Sequence, residues 1–335
     1  MVRGSADTPA DAVGCTLTYT KDGKSEWRFA AADAFEISKA RAFEIRVTRA
    51  GSGLGAFAVR GIKRGECMLS EAPLVQWTLL DGETTTAGLI SRVNALSAAD
   101  HTTYSNLCQN PMHGRGSKTA YGIWLSNAYP CTTPMQVARD QQNGVNTGSE
   151  IKAVFTTACR FNHSCSPNAH VAWNGSRGQQ TIHALRDITP GEEICVSYLD
   201  NASGMPRTQR HDELGFACLC TACGLQGKLL AQSDKRRSRI GVIFGILESM
   251  IRATDRRAMT LVMERLQLME QEGMREDWNT LYCAASFFGL TGDRCQAGQW
   301  AARAAESARY GMGEDSDEFI YYAASSAAFA KSSGR

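Results

Sequence analysis

Three cysteines fall within six residues, Cys218-Leu219-Cys220-Thr221-Ala222-Cys223. Thiols this dense repel one another once ionised, so in a reducing compartment they read as a metal site before they read as free thiols. Zinc takes four ligands, and structural zinc sites are closed tetrahedra. The local run supplies three. Cys165 is the candidate fourth, because it lies in a rare polar run, Arg160-Phe161-Asn162-His163-Ser164-Cys165-Ser166-Pro167-Asn168. A metal held by all four would tie the later cysteines over the Asn162-His163 segment. The bland alternative is three free cysteines in a core.

The polar run has chemistry of its own. Asn162 offers an amide donor and a carbonyl acceptor, and His163 one ring donor and one acceptor. Side by side they suit the hydrogen-bonding edge of an adenine or the polar atoms of a cofactor. A turn held by Asn and Ser side chains explains an isolated pair equally simply. Upstream, Gly51-Ser52-Gly53-Leu54-Gly55 sits at a predicted strand end. Glycine there permits φ > 0 and close approach of a ligand to the backbone. Taken alone, an ordinary hairpin turn is the simpler reading, and the spacing is not that of a dinucleotide fingerprint. Downstream, Gly191-Glu192-Glu193-Ile194-Cys195-Val196-Ser197-Tyr198 predicts a turn, a strand and a terminal tyrosine. The acidic pair reads as a cap on the turn. Tyr198 is either a rim residue or a phenol that orients a methyl group through weak C–H···O contacts.

The surrounding pattern predicts an α+β chain. Residues 1–12 read as a leader, and residues 15–30 as a hairpin turning at Asp22-Gly23. Phe43, Ile45 and Val47 alternate with polar residues, as in a half-buried strand. Strand character returns near residues 171–173, 181–184 and 194–198. Residues 84–142 interrupt this β-rich part with helical patches and polar loops. From about residue 235 the spacing is helical, through Ile240, Ile243, Phe244, Leu247 and Met250. Gly311 is placed as a helix terminator and Ser316 as the next helix start. Paired helices in the tetratricopeptide manner are one reading of that tail. The division expected is therefore 1–42, 43–225 and 235–335.

The charge balance, 36 basic against 34 acidic residues, lacks the surplus that strong nucleic-acid binding requires. Lys235-Arg236-Arg237-Ser238-Arg239 reads as a solvated helix start. No signal-like or membrane-spanning apolar run is present, so a cytoplasmic or nuclear protein is expected, with no membrane partner.

Taken together and in this order, the glycine turn, residues 160–168, the stretch ending at Tyr198 and the cysteine cluster resemble the SET domain of protein-lysine methyltransferases. The likeness runs from about residue 43 to 224. It is nearest to the SET-and-MYND-like proteins, through the wide insertion, Ser126-Asn127-Ala128-Tyr129, Ser197-Tyr198-Leu199-Asp200 and the helical tail. The resemblance implies that Gly51, Ser52, Gly53, Asn162 and His163 contact S-adenosylmethionine and that Phe216 stacks on its adenine. It implies that Tyr198 is the catalytic tyrosine of a lysine channel, and that Cys165, Cys218, Cys220 and Cys223 hold zinc in a post-SET site. The implied partner is a protein substrate with a target lysine, and the helical tail offers a place for a further protein partner. Three departures stand out. The MYND finger is missing, because Cys108, Cys131, His101 and His113 are too sparse to build it. Cys159 replaces a commoner serine. Leu214 stands where relatives often carry an active-site tyrosine. Two rival readings remain: an inactive SET-fold binding module, and a methyltransferase with a small-molecule acceptor.

Overall fold

The structure, a computed structural model, describes residues 15–19, 25–29, 41–48, 53–77, 86–114, 116–133, 151–250 and 255–331. Gly51, Ser52, the leader 1–12 and parts of the 84–142 insertion lie outside them. Strands β1 (Cys15–Tyr19) and β2 (Ser25–Phe29) pair antiparallel, Cys15 opposite Phe29.

Three further small sheets carry the β-rich part. The first joins β3 (Phe43–Val47), β4 (Leu54–Ala58), β12 (Glu193–Val196) and β9 (Asn162–His163), in that order. Its β3–β4 and β4–β12 pairs are antiparallel and its β12–β9 pair is parallel, with Asn162 beside Cys195. The second joins β10 (Ala169–Asn174), β11 (Gln179–Ala184) and β5 (Cys67–Glu71), and the third β6 (Val75–Trp77), β8 (Lys152–Val154) and β7 (Tyr129–Pro130). Ile62, Phe155, Phe161, Ile182, Ile188 and Ile194 fill the space between sheets and are fully buried. Such short strands cannot each build a core; they share one, and a residue on any strand is fixed by its neighbours on two sheets.

The insertion packs α1 (Ala87–Asn94), α2 (Ala98–Ser105) and α3 (Ala120–Asn127) around Trp77, Tyr104 and Trp124. Ser97 and Thr119 cap α2 and α3 by accepting from backbone N–H groups two or three residues into each helix. After α4 (Arg207–Leu214) come α5 (Gly227–Met250), α6 (Arg257–Gln271), α7 (Trp278–Thr291), α8 (Arg294–Met312) and α9 (Asp317–Lys331). From α5 onward, consecutive helices pack on one another. On α8, Ala297, Ala301, Ala304, Ala305 and Ala308 repeat at helical spacing and are fully buried, so small side chains let the neighbours come close. The helical part docks on the second sheet through α8, with the Trp278 and His170 rings edge to face at 5.2 Å.

Two sequence expectations are corrected here. Gly311 does not end a helix: it lies inside α8, where a Cβ would sit 2.8 Å from the Trp278 ring. The terminator is Gly313, at φ 93°. The basic run 235–239 is not a solvated helix start either. It lies inside α5, and Arg237 is wholly buried. Ser316 does cap α9, its hydroxyl accepting from the Phe319 N–H at 3.2 Å.

Candidate active site and metal centre

Cys165 follows β9, and Cys218, Cys220 and Cys223 follow α4. Their four Sγ atoms lie within 4.8 Å of one another. Cys165 Sγ stands 3.5 Å from Cys223 Sγ and 3.9 Å from Cys218 Sγ. A disulfide needs about 2.05 Å, whereas a zinc tetrahedron with bonds of about 2.3 Å sets its sulfurs about 3.8 Å apart. The donor set fits zinc. Hydrogen bonds among the thiols pull the Cys223 thiol down to about 5 and Cys220 well below the ordinary thiol range, and the same bonds push Cys165 well above it, with Cys218 also raised, against Cys165, by Cys220 and Cys223. Before any cation is added the cluster is therefore split, with Cys220 and Cys223 favouring the thiolate and Cys165 and Cys218 keeping their protons. All four as thiolates on one divalent ion leave two excess negative charges.

Two buried arginines answer that charge, and sequence reasoning missed both. Arg210 donates to Cys223 Sγ at 3.4 Å and to Met205 O at 2.5 Å. Burial opposes its charge, but the Cys223 and Cys165 sulfurs outweigh burial and hold its pKa above the ordinary value. Arg237, from α5, donates to Cys165 O at 3.0 Å, Ala202 O at 3.1 Å and Ser166 Oγ at 2.9 Å. Its Nε donates to Glu272 Oε2 at 2.8 Å, and Glu272 also accepts from Ser233 and Arg236. The Arg237–Glu272 pair is almost wholly buried. A four-residue basic cluster in a charge-balanced chain gave a hint of this; its helical phase, with Ser233 and Arg237 on the Ile240 face, was the signal that could have separated them from solvent.

His163 links this centre to Tyr198. Its Nδ1 accepts from the Tyr198 N–H at 3.0 Å, and its Nε2 lies 3.2 Å from Cys165 Sγ. Tyr198 lies two residues beyond the end of β12, not on the strand. Its hydroxyl donates to Phe161 O at 2.8 Å. Both ends of the tyrosine are thus pinned to the β9 segment, while 43% of the side-chain-bearing residue stays exposed. Burial of the hydroxyl raises its pKa far above the ordinary phenol value. Tyr129 is raised too, by burial first and then by the nearby Tyr198. Neither phenol is a base at neutral pH; both can only orient and donate.

On the other side of β9, the Asn162 amide donates to Leu54 O at 3.0 Å and to Glu193 Oε1 at 2.8 Å. Gly53, at φ 97°, precedes β4, and its O accepts from Thr48 N–H to close the β3–β4 turn. No heavy atom lies within 4 Å of a Cβ built there, so Gly53 itself faces open space. The expected cap on the 190–192 turn is Glu192 alone, which accepts from Thr189, Asn168 and Arg186. Asn168 is buried and uses its carboxamide as a strand substitute, donating to Glu193 O at 2.9 Å and accepting from Cys195 N–H at 2.8 Å. Gly53, Asn162, His163, Tyr198 and the four cysteines thus come together through β4, β9 and β12. Phe216 stands beside the cysteines with 41% of its surface exposed. Leu214 packs in the apolar shell of Cys165, Cys218 and Cys223.

Comparison with known proteins now adds to this geometry. Residues 53–199 match the SET domain family. This part of the chain is a SET domain. The match runs from Gly53 to one residue beyond Tyr198, so the SET domain includes Asn162, His163 and Cys165 and stops short of the other three cysteines. A histone-lysine N-methyltransferase, set5 of Schizosaccharomyces pombe, is 27% identical over 201 residues, 58% of this chain and 63% of its own length. The human protein-lysine N-trimethyltransferase SMYD5 is 40% identical over 91 residues, 26% of this chain and 20% of its own. The human N-lysine methyltransferase SMYD2 is 34% identical over 89 residues, 25% of this chain and 20% of its own. The chain thus spans under two thirds of the length of these relatives. Around its SET domain the fold is α+β, with helices in the insertion and in the C-terminal region. Among the described residues, no helix is long and apolar enough to cross a membrane.

Proposed function

We propose that this chain transfers a methyl group from S-adenosylmethionine to a lysine side chain of a protein. The observation that carries the reading is the double anchoring of Tyr198 to the strand of Asn162 and His163, inside a SET domain. When bound, the sulfonium donor supplies an electrophilic methyl group and leaves as a neutral thioether. Gly53, Asn162 and the backbone beside them would hold its amino-acid end, and Phe216 would cover its adenine. Tyr198 would hold the lysine amine in line with the methyl carbon. The acceptor nitrogen must first lose a proton to water, since free lysine has a pKa near ~10.4. With both phenols protonated, the chain contributes orientation rather than a base, and orientation is most of what such a displacement needs.

The four cysteines would hold zinc as a structural clasp between the SET domain and the segment after α4. Residues 43–225 would be the catalytic part, and the helices beyond would wall one side of a cleft and offer a protein-partner surface. A cytoplasmic or nuclear place of work goes with this reading. Leu214, where relatives often carry a tyrosine, packs against Cys165, Cys218 and Cys223. Calorimetric titration with S-adenosylmethionine is the first test. Saturable binding by the zinc-loaded chain, weakened by Asn162→Ala, is expected; a chain that binds no donor contradicts the proposal.

A further inference from the structure

We infer that Glu193 is a positioning residue: it locks the Asn162 amide so that this corner of the pocket accepts hydrogen bonds and therefore selects a cationic amino group. The inference rests on the methyl-donor reading above and specifies how one end of the donor is chosen.

An asparagine amide has two N–H donors and one carbonyl acceptor. Asn162 Nδ2 is 3.0 Å from Leu54 O and 2.8 Å from Glu193 Oε1. Both partners are acceptors. The opposite amide orientation would set oxygen against oxygen twice, so the chemistry of the partners fixes the assignment. Both donors are spent, and Oδ1 alone remains for a ligand. A ligand atom at that position has to be a donor. At the amino-acid end of the proposed methyl donor, that is the ammonium and not the carboxylate.

The clasp is built from three strands. Leu54 opens β4, Asn162 opens β9 and Glu193 opens β12. Gly55 makes the space: a Cβ there would lie 2.5 Å from Glu193 Oε1 and 2.8 Å from Asn162 Nδ2. Glu192, one residue earlier, faces the turn and is consumed by Thr189, Asn168 and Arg186. Successive strand residues point to opposite faces, so the Glu-Glu pair divides its labour.

The experiment uses the full zinc-loaded chain and two ligands. S-adenosylhomocysteine has the amino-acid end; 5′-methylthioadenosine keeps the adenosine and lacks it. Calorimetry on Glu193→Ala should show a loss of roughly tenfold or more for S-adenosylhomocysteine, the scale of one oriented bond to a charged group. Affinity for 5′-methylthioadenosine should stay within about twofold, well under the tenfold scale of such a bond. Glu193→Asp keeps the charge but withdraws the oxygen by one methylene, and it carries the same selective loss. Glu193→Gln keeps an acceptor oxygen in place and should recover most of the affinity. Equal losses for both ligands, or no loss in Glu193→Ala and Glu193→Asp, overturn the inference while leaving the donor site standing. A wild-type chain that binds neither ligand overturns the donor reading and this inference with it.

Discussion

The Tyr198 backbone N–H donates to Nδ1 of His163 at 3.0 Å, and this bond decides what the imidazole can do. Because Nδ1 accepts, a neutral ring carries its proton on Nε2, which points at Cys165 Sγ 3.2 Å away. Burial lowers the His163 pKa to about 4, so the ring is neutral at physiological pH. Both ring nitrogens are committed. The resemblance implies that His163 contacts the cofactor; its ring spans from Cys165 Sγ to the Tyr198 N–H, which leaves the His163 backbone for such a contact.

His163→Ala should therefore weaken zinc retention and turnover together. A partner that orients a metal ligand is worth about 10- to 100-fold in metal affinity or activity. Competition with a chromogenic chelator reads the first and methyl transfer the second. Unchanged zinc affinity would show that the ring does not orient Cys165.

Tyr198→Phe should separate chemistry from binding. The variant loses the bond to Phe161 O and with it the fixed ring position. Turnover should drop on the order of 10²-fold, the cost of misplacing a reacting group, with donor affinity almost unchanged. Isothermal titration beside single-turnover kinetics gives both numbers. An equal drop in the two would place Tyr198 in donor binding.

Arg237→Ala should be severe for a surface-like basic run. It removes the buried partner of Glu272, leaving that carboxylate to Arg236 and Ser233, and takes away the donor to Cys165 O. Breaking a buried pair by removing one partner costs about 3–5 kcal/mol. Replacing Arg237 and Glu272 together by methionines should recover part of that in urea unfolding. A single-variant cost under about 1 kcal/mol, the range of exposed pairs, would contradict the burial of this network.

The same network predicts what metal removal does. Cys165 would be held by zinc on its sulfur and is held by Arg237 on its carbonyl. Chelation should free the cysteine segment, lower the melting temperature and expose the start of α5 to protease. Elemental analysis should find one zinc per cluster, and Cys220→Ser should abolish it. Protease resistance that survives full zinc loss would show that the two are uncoupled.

Acid should loosen the contact between the second sheet and α7–α8. Burial, and then the facing His183, lower the His170 pKa to about 4. Burial lowers His183 as well, against Gly65 O and Asp315, which raise it, with Arg177 lowering it. An unfolded histidine titrates near ~6.5, so between that value and about 4 the unfolded chain binds more protons. Stability is thus fully present above the unfolded value and falls as pH drops through this window. His170→Gln should flatten the slope of the melting temperature between these limits. An identical slope would assign the acid response elsewhere.

The sequence showed the cysteine tetrad, the strands around it and the run of Asn162 and His163, because each is a local pattern with one dominant physical reading. What it could not show was which way polar side chains face. Glu192 and Glu193 look alike as letters, yet only strand alternation against Gly55 and Asn162 makes one a turn cap and the other a clasp. Arg237 belongs to a basic run whose meaning depends on Glu272, 35 residues later, and on Cys165, 72 residues earlier. Gly311 looked like a terminator because its reason for being small, the Trp278 ring, lies on another helix.

The central claim is methyl transfer to protein lysine at the site closed by Tyr198. The most direct measurement incubates the zinc-loaded chain with tritiated S-adenosylmethionine and a protein extract, then hydrolyses the macromolecular fraction. The account predicts label recovered as methyllysine with the wild type and lost with Tyr198→Phe. Label confined to small molecules, or none above the Tyr198→Phe background, would contradict it.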